Sequence, residues 1–104
     1  MTFHYTETEN GTVLRGHNLE ITFSNKRLAD IWVNLTNSGK FAEADCFRTV
    51  ERLVTGYKND VAIQTYLLNK TNKSIHEIKL AESESKYEMN RTRLDQLIAK
   101  YHHN

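Results

Sequence analysis

Residues 74–101 contain neither glycine nor proline, and they open with Ser74 and Glu77 at the spacing of a reciprocal helix-capping pair. As one helix, the 27 residues 75–101 extend about 40 Å at about 1.5 Å per residue. A compact globule of this size has a radius of gyration near ~13 Å, equivalent to a sphere about 33 Å across. A continuous helix therefore overhangs the body that carries it. Ile75, Ile78, Leu80 and Ala81 at one end and Leu94, Leu97, Ile98 and Tyr101 at the other bracket a polar middle. There Glu82 and Lys86, Arg91 and Asp95, and Glu88 and Arg91 stand at the i,i+4 or i,i+3 spacing of a solvated helix face. Leu80, Tyr87, Leu94 and Tyr101 also recur every seven residues, as a seam against another helix requires. Ser83 and Asn90 hold the complementary heptad positions and are polar. The pattern thus favours packing on a second copy or on a different protein over a free-standing coiled coil. The alternative is a break near residues 83–85 that folds the segment back.

The preceding chain divides into three blocks. Residues 3–8 and 12–15 read as strands joined through Asn10-Gly11, a pair that supplies the positive φ angles of a type I′ turn. Leu19, Ile21 and Phe23 alternate with Glu20 and Thr22, which predicts a third strand with one buried face. Ser24 stands where a helix cap belongs, with Phe23 and Leu28 as a hydrophobic staple. Leu28, Ile31, Trp32 and Leu35 then give residues 25–36 one apolar face, and residues 37–39 end it. A second amphipathic segment carries Cys46, Phe47, Val50, Leu53, Val54 and Tyr57, with Glu43, Arg48, Glu51, Arg52 and Lys58 mostly off that face. Gly56 and Asn59-Asp60 suggest a stop. Residues 61–68 then suit a strand or, preferably, a short helix capped by Asp60, and residues 69–73 a polar loop. The expectation is one α+β domain over residues 1–104: an antiparallel β-hairpin or meander at about 3–23, then three to four helices, the last long at about 75–101.

Composition narrows the function classes. With 104 residues, 38% hydrophobic and 26% charged, and a formal charge of +1, the chain suits one globular domain without a strong pull toward nucleic acid or anionic lipid. The absence of proline removes PxxP ligands and proline-stiffened linkers. One cysteine, Cys46, forms no internal disulfide, and no run resembles a signal peptide or a membrane span, so a cytoplasmic location is expected. The Asn-x-Ser/Thr triplets starting at Asn10, Asn34, Asn69, Asn72 and Asn90 follow from an Asn- and Thr-rich composition.

Catalytic patterns are weak. Cys46 lies on the apolar stripe, where a cysteine acts as a small core hydrophobe. His102 and His103 are adjacent at the terminus and do not have the i,i+4 spacing of a metal pair, while His4 and His17 are expected to face either each other or the strand surface. Glu43 and Asp45, Glu82 and Glu84, and Glu84 and Glu88 are local pairs on solvated faces. The four glycines form neither a P-loop nor a dinucleotide fingerprint. The reading is therefore non-enzymatic, with no catalytic residue, metal or cofactor. It is a small protein-interaction module, an inhibitor or regulator that binds and occludes a larger protein partner or pairs with a second copy through the last helix. Tyr87, Arg91, Leu94 and Tyr101 are the expected contact residues, and the outer edge of the hairpin is a second candidate surface. This general profile resembles that of small inhibitors carried by phages or mobile elements. The alternative is a nucleic-acid-binding regulator using Lys70, Lys73, Lys79, Arg91 and Arg93.

Overall fold

The structure, a computed structural model, describes residues 2–101; His102 and His103 lie outside them. Strands β1 (His4–Thr8), β2 (Gly11–Gly16) and β3 (Leu19–Phe23) form an antiparallel sheet in that order. Helices α1 (Lys26–Asn37), α2 (Phe41–Thr71) and α3 (Ser74–Tyr101) follow. The α+β order and the long last helix agree with the sequence reading. The helices number three because residues 61–68 continue α2, and the last helix is unbroken at residues 83–85.

The turn chemistry differs from expectation. The type I′ signature, two consecutive residues in the left-handed region, belongs to His17 (φ 53°) and Asn18 (φ 64°) between β2 and β3. In the first hairpin Thr8 and Gly11 close the pairing, and the Thr8 hydroxyl accepts from Asn10 N–H and donates to Gly11 O. Gly11 (φ 127°) serves close approach, since a Cβ there would stand 2.1 Å from the Phe23 carbonyl oxygen. His17 turns from His4 toward Phe3, edge-on at 5.6 Å, and accepts from Thr2 N–H.

Thr12 and Leu14 pair with Phe23 and Ile21, and all four are buried on the sheet face that meets α1. Trp32 of α1 packs edge-on against Phe3 at 5.5 Å and lies 6.1 Å from Phe23. The opposite face carries the Arg15–Glu20 pair at 3.3 Å. Asn25, not Ser24, caps α1, its side chain accepting from Leu28 N–H at 3.1 Å. Ser24 is thereby free to donate its N–H (3.1 Å) and hydroxyl (2.8 Å) to one oxygen of Glu51.

Helices α2 and α3 are a long antiparallel hairpin. Asn72, left-handed at φ 53°, closes α2 by donating to Leu68 O, and Lys73 alone separates it from Ser74. Along α3 the buried and half-buried positions His76, Leu80, Ser83, Tyr87, Asn90, Leu94, Leu97 and Tyr101 alternate steps of four and three, with half-buried Ile98 beside them against the core. Phe47, Val50, Val54, Tyr57, Val61, Gln64 and Leu68 do the same on α2. The heptad of α3 does meet a helix, and that helix is α2 of the same chain. Cross-links confirm the register: Gln64 Oε1 with His76 Nδ1 at 3.0 Å, Lys86 Nζ over the Tyr57 ring, and Phe47 against Tyr101 at 6.3 Å.

Cys46 falls off this seam and is exposed. The inward positions beside it are Ala44, Phe47, Val50 and Glu51. The molecule measures 50 × 26 × 19 Å with a radius of gyration of 16.2 Å, against about 13 Å for a compact chain of this length. The overhang is the distal hairpin.

Gly56 lies inside α2, and a Cβ there meets nothing within 4 Å. Gly56→Ala is therefore expected to raise stability by about 0.5–1 kcal/mol in chemical denaturation, through reduced chain entropy and better helix propensity. Tyr5 supplies a second test. Its phenol is pushed up to about 12 by burial, by a hydrogen bond to Asp30 and by that carboxylate's charge, while Lys26 Nζ sits 5.4 Å from the ring centre. The unfolded chain releases this proton near pH 10, so the stabilisation is complete below pH 10 and is lost as pH rises toward 12. Tyr5→Phe should flatten the alkaline stability profile relative to the parent.

Candidate interaction surface

The hairpin has two halves with different surroundings. Near its base, Ala44, Phe47, Val50 and Leu94 are buried in the same core as Leu28, Ile31, Trp32 and Leu35 of α1. From Arg52 to Met89 no described residue is buried. This distal arm has a seam but no third layer. Its seam contains Gln64, His76 and Ser83 beside Val61, Leu68 and Leu80, so it gains little from apolar burial. Large apolar side chains on the arm face solvent: Ile63 is 53% exposed, Tyr66 62%, Ile75 48%, Ile78 57% and Met89 61%.

The expected contact residues fall in different places. Leu94 is buried in the core. Tyr101 is half-buried against Phe47 and donates to Glu43 at 3.2 Å; burial, that hydrogen bond and the Glu43 charge raise its pKa. Tyr87 is half-buried along the seam, and Arg91 is exposed. Lys70, Lys73 and Lys79 gather at the arm's tip, whereas Arg91 lies about 27 Å along the helix from Lys73. These cations do not make one patch. The sequence pattern places Ile75 and Ile78 at an anchored helix end, and the structure exposes both. Ile63 and Tyr66, within the run 61–68 read as a strand or short helix, are exposed as well. Their offset from the 54–57–61–64–68 periodicity is the signal that points them outward.

Two clefts lie on the surface. One of about 880 Å³ opens between the β1–β2 turn and the middle of α2, lined by Glu7, Glu9, Asn10, Glu51, Arg52 and Lys58 among others. Two of its three carboxylates, Glu7 and Glu51, serve structural bonds. Glu7 accepts from the buried Thr12 hydroxyl at 3.0 Å, and Glu51, 3% exposed, binds Ser24. A second, of about 530 Å³, runs between the end of α1 and Tyr101. Among the described residues no three His, Cys, Asp or Glu side chains converge to hold a metal ion. No described helix is long and apolar enough to cross a membrane.

Compared with protein-family models, curated proteins and solved structures, the chain matches none.

The division between core and arm is measurable by thermal and chemical denaturation. Leu94→Ala should cost about 2–5 kcal/mol, as for a leucine removed from a packed interior. Arg91→Ala, one turn away on the exposed face, should stay within about 0.5 kcal/mol of the parent.

Proposed function

We propose that the chain is a non-enzymatic protein-interaction module of the cytoplasm, an inhibitor or regulator that acts by docking on a larger protein and occluding it. One observation carries the reading: the distal arm presents Ile63, Tyr66, Ile75 and Ile78 to solvent beyond the core, and no layer of the described residues covers them. Exposed apolar side chains on a projecting arm suit protein recognition. Of the residues expected from the sequence, Arg91 and the exposed flank of Tyr87 are accessible to a partner. Leu94 and Tyr101 support the helix from within.

The gathering of Lys70, Lys73 and Lys79 at the tip favours nucleic-acid binding as the second reading. Affinity capture from the native host lysate separates the two. The module reading expects one protein retained in near-stoichiometric amount by the parent chain, resistant to nuclease treatment, and lost with Tyr66→Glu. Retention that disappears with nuclease, together with elution from heparin that shifts steeply with salt, contradicts it and supports the alternative.

A further inference from the structure

Asn10-Gly11 is the strong turn signal of the sequence that the fold does not use for a type I′ turn. The consecutive left-handed residues are His17 and Asn18, and Gly11 serves the close approach to Phe23. Among the described residues none hydrogen-bonds the Asn10 side chain. Its backbone N–H donates to the Thr8 hydroxyl at 3.2 Å, whereas Asn25 and Asn90 are both held through their side chains. Asn10 is exposed and borders the larger cleft, so water has access to it.

An asparagine followed by glycine carries a chemistry of its own. The Asn10 side-chain carbonyl carbon and the Gly11 nitrogen are placed by sequence to close a cyclic imide, and glycine brings no Cβ to obstruct their approach. No other asparagine of the chain precedes glycine. Of the other described asparagines only Asn18 lies outside a helix and its caps, and Leu19 follows it.

We propose that Asn10-Gly11 is a self-modification site at which the turn converts to isoaspartate, with water as the co-reactant. The Gly11 nitrogen loses its proton to hydroxide and attacks Asn10 Cγ. The N–Cγ bond forms, the Cγ–Nδ2 bond breaks, and the amide group takes a proton from water and leaves as ammonia. Water then opens the imide. Opening at the Asn10 backbone carbonyl carbon routes the chain through the side chain as isoaspartate, opening at Cγ gives aspartate, and nothing is oxidised or reduced. The fold gates the first step, because Gly11 is paired with Thr8, whose hydroxyl accepts from Asn10 N–H and donates to Gly11 O. That pair closes the hairpin at its end, where local opening costs least.

Isoaspartate inserts one more carbon into the backbone of the turn. Gly11 sits too closely against the Phe23 backbone to absorb it, so the Thr8–Gly11 pair gives way. The disturbance reaches the next pair, where the buried Thr12 hydroxyl donates to the Glu7 carboxylate at 3.0 Å. The new carboxylate also joins Glu7 and Glu9 at the same border of the cleft.

Prolonged incubation of the full chain at neutral and mildly alkaline pH, read by peptide mass spectrometry and by isoaspartyl methyltransferase labelling, tests the site. The expected result is a mass gain equal to exchange of NH2 for OH, appearing first in the peptide that holds Asn10, faster at the higher pH and accompanied by methyl labelling. Asn10→Gln should abolish both signals, and Thr8→Val should hasten them by releasing the turn. The isoaspartyl fraction should unfold at lower denaturant concentration than the parent. Asn10→Asp, which adds the charge without the extra backbone carbon, should stay near the parent. An Asn10 peptide that survives the incubation intact, or converts no sooner than the other asparagines, overturns the site. An unchanged rate in Thr8→Val overturns the gating, and an isoaspartyl chain as stable as the parent overturns the disturbance of the hairpin.

Discussion

Everything beyond the small core depends on one contact, the heptad-spaced seam between α2 and α3. Two helices of about 46 Å and 42 Å lie side by side, and each is too long for the domain to which it is attached. At the base the seam is reinforced by α1 and the sheet, so Phe47, Val50 and Leu94 are buried from three directions. Toward the tip, the same periodicity continues with polar substitutes. Asn90, 4% exposed, satisfies its amide by donating to the Lys86 carbonyl within its own helix. Gln64 and His76 bond to each other across the seam. The Gln64–His76 pair fixes register more than it adds stability.

The attachment of the sheet to the hairpin is similarly economical. Glu51 projects from α2 into the junction of β3 and α1, where Ser24 donates both N–H and hydroxyl to one of its oxygens, and Thr55 stands nearby at 3.5 Å. A buried carboxylate without such donors would be strongly destabilising. With them it holds the β3–α1 junction against α2. Stability should grade along the molecule, greatest around Phe47 and Leu94 and least at the tip, since apolar burial decreases in that direction. A region of low local stability with outward apolar groups is where association has most to gain.

Much of this was legible in the residues. The stripe of Leu28, Ile31, Trp32 and Leu35 and the length of the last helix each reflect one local period and are realised, and the alternation of β3 buries Ile21 and Phe23 but leaves Leu19, at the strand's start, exposed. The errors arise where two signals compete. Gly56 and Asn59-Asp60 read as a stop, yet the seam periodicity through Val54, Tyr57, Val61, Gln64 and Leu68 runs straight across them, and a glycine penalty of about 1 kcal/mol yields to tertiary packing. Ser24 and Asn25 are both competent caps, and the contest is decided by Glu51, 27 residues away in sequence. Cys46 and Glu51 exchange expected environments for the same reason, because a helix face is set by its strongest contacts rather than by the polarity of each residue. The exposure of Ile63, Tyr66, Ile75 and Ile78 is visible only once the heptad of α3 is known to be met from within the chain.

Continuity of α2 is what turns the C-terminal half into an arm, and a pulsed dipolar distance measures it directly. Spin labels at Asp45→Cys and Asn69→Cys, in a Cys46→Ser background, flank the glycine and lie on exposed positions. An unbroken helix places their backbones about 36 Å apart with a narrow distribution. A distance well short of that, or a broad distribution, would mean that the chain folds back at residues 56–60 and that no projecting hairpin exists.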